Sequence, residues 1–159
     1  MDLDEIFAPE VERYSITILD RQPIANASFV YAYPWGEFRL KIRGDLYGPA
    51  RLEAAAVQVG RIALGHDFKR SGWKDERRNR REWLEAQQWA ARRLIPWRML
   101  SWAFREQWEP WELAETAGVT EWLAWLAWKD WKEKRGGLVT LPPRVNAPAW
   151  AEPQDSLFL

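Results

Sequence analysis

Side chains able to do nucleophilic, acid–base or metal chemistry are sparse in this chain. His66 is the only histidine and cysteine is absent, which excludes a thiolate zinc site, thiol catalysis and a disulfide framework. One imidazole cannot build a catalytic zinc centre, which takes three protein ligands and a water. His66 reads more simply as a cation near the last carbonyls of a helix. No Gly-x-Ser-x-Gly elbow and no glycine-rich phosphate loop occurs. What remains is charge and ring surface. Lys69, Arg70, Lys74, Arg77, Arg78, Arg80 and Arg81 crowd one segment against Asp75 and Glu76, a pattern that either contacts phosphate or stays solvated. Arg77, Arg78, Arg80 and Arg81 are the candidate phosphate-binding residues. Thirteen tryptophans point to a tryptophan-rich core, with a dedicated aromatic binding surface as the alternative.

The elements that must position these groups fit one domain with ragged ends, since 159 residues suffice to bury a core unaided. Basic and acidic residues balance at 23 each, so no overall field draws the molecule to nucleic acid and any such contact must be local. The start, Met-Asp-Leu-Asp-Glu, is acidic where a signal peptide is basic, and no apolar run reaches the length of a membrane span. A cytoplasmic protein with no membrane partner is expected.

Residues 1–13 read as a short helix or N-terminal arm. Strand-like segments follow at 15–19, 28–33 and 37–42, the last alternating Phe38, Leu40 and Ile42 with Glu37, Arg39 and Lys41, and Pro34-Trp35-Gly36 makes a turn. These predict a small three-stranded antiparallel sheet. Pro49 opens a helix that runs to Gly65, a charged loop spans 67–81, a helix over 82–95 stops at Pro96, and another covers 97–105. Residues 110–134 form a helix-turn-helix-like pair, with Gly118 in the turn and Thr120 as cap. Its second helix carries Trp122, Trp125, Trp128 and Trp131, too apolar for a base-reading helix and better suited to core packing or a protein interface. The segment 136–159 holds Pro142, Pro143, Pro148 and Pro153 without periodicity and reads as a flexible tail, leaving 14–135 as the folded domain.

The order of sheet, helix, charged loop, helix ending in Leu94-Ile95-Pro96, then Leu113-Ala114 and Gly118-Val119-Thr120 resembles the ImmA/IrrE family of zinc metallopeptidases over about residues 24–134. That family carries His-Glu-x-x-His in its first helix, often followed by Leu-Gly-His. Here the string is Val57-Gln58-Val59-Gly60-Arg61-Ile62-Ala63-Leu64-Gly65-His66. With Gly60 and Leu64-Gly65-His66 setting the register, the resemblance puts Val57 and Arg61 in the places of two zinc ligands and Gln58 in the place of the general base. Valine has no lone pair, arginine brings a fixed charge, and glutamine has no useful basicity. The family's third ligand is a carboxylate on the second helix; Glu85, or else Glu82, stands there in Trp83-Leu84-Glu85-Ala86.

The resemblance therefore implies an α+β fold in which a small sheet packs on a mainly helical metallopeptidase-like domain. It implies no cofactor, an Arg61–Glu85 ion pair where the metal sat, and action by binding in place of hydrolysis. The expected partner is a protein, such as a repressor or replication component of a phage or mobile element. The rivals are a metallopeptidase with rearranged ligands and a helix-turn-helix protein that binds DNA.

Gln154-Asp155-Ser156-Leu157-Phe158 resembles the pentapeptide with which bacterial proteins dock on the replicative sliding clamp. Gln154 would fix register while Leu157 and Phe158 fill a pocket, at the end of a proline- and alanine-rich tether.

Overall fold

The alternation over 37–42 decides the sheet. In the computed structural model, which describes residues 1–68 and 76–135, β1 (Ile16–Gln22), β2 (Ser28–Ala32) and β3 (Phe38–Arg43) lie in the order β1-β3-β2. Ile16, Val30, Leu40 and Ile42 are buried on one face, as period-two patterning requires. The fold class is α+β, but the sheet is mixed, which corrects the all-antiparallel expectation. β2 and β3 form the expected antiparallel pair, whereas β1 runs parallel to β3. The cause is topological. The connection after β1 carries the chain past the central position, and the turn at Tyr33–Gly36 then returns β3 into the gap. That turn is closed by the Gly36 amide donating to the Tyr33 carbonyl at 3.1 Å, with Gly36 at φ +94°.

Two short helices precede the sheet, α1 (Leu3–Ile6) and α2 (Ala8–Tyr14). The expected arm is thus helical, and Leu3 and Phe7 anchor it in the core. Behind the sheet runs α3 (Gly48–Ala63), with Pro49 in its first turn and every residue from Leu52 to Gly60 buried. α4 (Glu76–Leu94) packs against it, followed by α5 (Trp97–Arg105), α6 (Pro110–Ala117) and α7 (Glu121–Lys134). The charged loop ends earlier than expected, because α4 begins at Glu76. Pairs four residues apart, Arg78–Glu82 at 2.9 Å and Arg81–Glu85 at 3.7 Å, make the charged run compatible with helix. Gly118 adopts φ +70° between α6 and α7, and Thr120 caps α7 by accepting from the Leu123 amide at 3.3 Å, as expected. Residues 69–75 and the tail 136–159, with Gln154, Leu157 and Phe158, lie outside the described residues.

The tryptophan-rich core forms only in part. Of the described tryptophans only Trp131 is buried, while Trp35, Trp97, Trp102 and Trp111 are exposed. The reason lies between α3 and α4. A Cβ built on Gly60 would stand 2.8 Å from Trp89 Cε3 and 3.1 Å from the Ala86 carbonyl oxygen. Ala54, Ala55, Ala56, Ala86, Ala90 and Ala91 are likewise buried, so small residues let α3 and α4 approach closely, with the Trp89 indole packed on Gly60. Trp83, Trp89, Trp108, Trp122 and Trp128 pack half-buried against the core.

Candidate functional site

Val57, Gln58 and Arg61 lie within just over one turn of α3. Val57 is wholly buried and offers no polar atom to this region. Gln58, 3% exposed, donates from Nε2 to Ser28 Oγ of β2 at 3.1 Å and accepts from Arg61 Nη1 at 3.3 Å. Both ends of its amide are thus engaged, which removes it further from any proton-transfer role.

Arg61 occupies the seam between the helices. Its guanidinium carbon lies 4.4 Å from the centroid of the Phe68 ring and 4.9 Å from that of Trp83, so the planar cation is held by two aromatic faces. Nε finds no acceptor among the described residues. Burial lowers the Arg61 pKa from its ordinary value, and the negative charge of Glu82 opposes that shift. Glu82 is 7% exposed and accepts from Arg78 Nε at 2.9 Å.

The expected Arg61–Glu85 pair is not among the ion pairs of the described residues. Glu85 is exposed and meets His66 Nε2 at 3.3 Å and Arg81 Nε at 3.7 Å. The correction is one of helical phase. Glu82 stands three residues earlier on α4, on the side that faces α3, and Glu85 is rotated outward. His66, just past the end of α3, donates its amide to the Arg61 carbonyl at 3.0 Å. Its imidazole is 6% exposed, and with Glu85 ionised the contact requires the proton on Nε2. Nδ1 has no partner among the described residues.

Glu53 was not singled out from the sequence. It is 0% exposed on α3 and accepts from Thr120 Oγ1 at 2.6 Å, beside the N-terminus of α7, where the helix dipole favours negative charge. The available signal was a glutamate between Leu52 and Ala54 in an otherwise apolar run. Of the basic cluster, Arg78 and Arg81 are engaged within α4, Arg80 projects from an exposed position, and the Arg77 side chain lies outside the description.

The ensemble is a polar seam running Ser28, Gln58, Arg61, Glu82, Arg78. Its two arginines flank the single carboxylate of Glu82, and no group of three or more His, Cys, Asp or Glu able to hold a metal ion occurs among the described residues. No described helix is long and apolar enough to cross a membrane.

A second feature lies on α5 and α6. Trp102 (54% exposed), Phe104 and Trp111 project from α5 and α6, and Trp108 between them walls two shallow cavities. One, roughly 410 Å³, also takes in Phe104, Trp125 and Trp128. The other, roughly 580 Å³, takes in Met99 and Trp102. Lys132 Nζ sits 5.2 Å from the Trp128 ring centroid. No family model matches the chain, and no curated protein matches it.

Proposed function

We propose that the chain is a non-catalytic scaffold of the metallopeptidase-like kind that acts in the cytoplasm by binding a protein partner. The observation that carries this reading is the aromatic face of α5 and α6, where Trp102, Phe104 and Trp111 are each about half exposed and the first two line cavities that share Trp108. Exposed aromatic surface of this density is costly in water and supplies the anchors that dominate protein interfaces. The α3–α4 seam supports the non-catalytic half of the reading, because a guanidinium held by Phe68, Trp83 and Gln58 leaves no general base in contact with a free coordination space. The partner classes that fit are a phage or mobile-element repressor or a replication component, with the Gln154–Phe158 peptide as a separate anchor for a sliding clamp.

Two measurements test this. Elemental analysis after chelator-free purification should find zinc far below stoichiometry; about one zinc per chain would overturn the reading. Capture of partners from a bacterial lysate should be lost for Trp102→Arg with Trp111→Arg at an unchanged melting temperature. Removal of residues 150–159 should abolish capture of the sliding clamp alone.

A further inference from the structure

The face of the sheet turned away from α3 carries a pattern that the protein-docking reading does not use. Outward side chains on β3 are Arg39 and Lys41. The register sets Arg39 between Thr17 of β1 and Tyr31 of β2, and Lys41 between Leu19 and Phe29. Two cations thus form a central file, with a file of rings beside them on the edge strand. Phe29 is 47% exposed and Tyr31 51%. The ring file continues past the strand end: Tyr31 meets Tyr33 edge-on at 4.8 Å, and Tyr33 stacks on Trp35 at 4.6 Å with 25° between planes. Trp35, at the turn, is 67% exposed, and Arg39 stands 5.2 Å from the Tyr33 centroid.

We propose that this face is a stacking platform for single-stranded DNA, with unpaired bases lying on Phe29, Tyr31 and Trp35 and phosphates meeting Arg39 and Lys41. Exposed rings flanked by cations on an open sheet suit a strand whose bases present free π-faces and whose backbone is anionic. A duplex hides those faces within its own stack. A protein partner fits less well, because lysine is depleted from protein interfaces, whereas here Lys41 sits in the middle of the patch. Glu37, exposed in the turn beside Trp35, is the acid that opposes the phosphates.

The test is fluorescence anisotropy of the full chain with a labelled oligothymidylate of roughly ten nucleotides, a length within the usual range for such platforms. Binding should fall about tenfold for each of Tyr31→Leu and Trp35→Leu, substitutions that keep apolar area and remove the stacking face. Tyr31→Phe should bind like the parent, and Glu37→Gln should bind more tightly. Replacing Arg39 and Lys41 together by glutamine should flatten the salt dependence by about 1.4 in the log–log slope, two phosphates at about 0.7 each. Melting temperatures should shift little throughout, because Tyr31, Trp35, Glu37 and Arg39 are exposed and Lys41 is half-buried on the outer face of the sheet. Absence of oligonucleotide binding at low salt, equal binding of duplex, or affinity indifferent to the two leucine variants would each overturn the platform. Capture of a protein in a manner that survives Tyr31→Leu would assign the face to docking and overturn it as well. None of these outcomes touches Trp102 or Trp111, so the protein-binding face stands or falls separately.

Discussion

Arg61 shows how one side chain can be held between helices without a conventional ion pair among the described residues. Its contacts are two ring faces, one amide oxygen and the field of Glu82, and the rings demand a flat, weakly hydrated cation. Lysine supplies the same charge as a compact, strongly hydrated point. We therefore expect Arg61→Lys to destabilise the fold by about 1–2 kcal/mol, and Arg61→Met to cost less, since a thioether packs well against rings and removes the buried charge. Chemical denaturation of the two variants decides the matter; a lysine variant as stable as the parent would show that charge alone matters at this position. Glu82 need not become an orphan in the methionine variant, because Arg78 still donates to it. An interior place for Arg61 was legible only through the family resemblance. Its true neighbours were not, because the choice between Glu82 and Glu85 depends on the rotation of α4, which packing sets and spacing alone does not.

At the scale of the elements, the contact of α3 with α4 turns on Gly60. A methyl there would meet Trp89 Cε3 at 2.8 Å and the Ala86 carbonyl at 3.1 Å, and the second obstacle is backbone. Gly60→Ala should therefore cost about 1–3 kcal/mol despite alanine's better helix propensity. Trp89→Leu in the same chain should recover only part of the loss, which a double-mutant cycle in urea would measure; full recovery would place the strain in the indole alone. The features that sequence located well are those with local causes. Pro49 in the first turn of α3, Pro96 before α5, Gly118 in the left-handed region and Thr120 as cap each act on neighbours a few residues away. The parallel pairing of β1 with β3 is a long-range choice with no local signature. The tryptophans were read only in part: their size suggested burial, but several of them pack half-buried on the edge of a core filled by smaller residues, as Trp89 does on Gly60.

Over the whole molecule, the N-terminal helices are tied to the body by two arginines. Arg93 of α4 pairs with Glu10 and donates to the Ile6 carbonyl at 2.7 Å. Arg51 of α3 pairs with Asp20 of β1 and donates to the Met1 carbonyl at 3.0 Å. Phe7, wholly buried, lies under Arg93, so Phe7→Ala should cost about 3–5 kcal/mol and convert the first helices into a loose segment. Trypsin cleavage within residues 1–14 of that variant, absent in the parent, would report the loosening.

The Asp20–Arg51 pair makes a second expectation, in pH. The hydrogen bond from Arg51 holds the Asp20 carboxyl below its ordinary value of 3.8, burial works against that shift, and the Arg21 amide adds to it. Because the lowered pKa belongs to the folded state, the unfolded chain binds more protons in the interval between the two values, so stability must fall as acid is added. The contribution is fully present above the unfolded value, about pH 4, and is lost as the pH drops through the folded one. Asp20 retains 31% of its side-chain exposure, so solvent screens the pair and the effect is modest. Melting temperatures of the parent and Asp20→Asn should accordingly differ at about pH 7 and converge towards about pH 2, where the parent's own carboxyl is protonated. Arg51→Met should be destabilised across the whole range, since it also loses the bond to the Met1 carbonyl. A gap between parent and Asp20→Asn that persists undiminished in acid would mean that the shape of the side chain, and not its charge, holds β1 to α3.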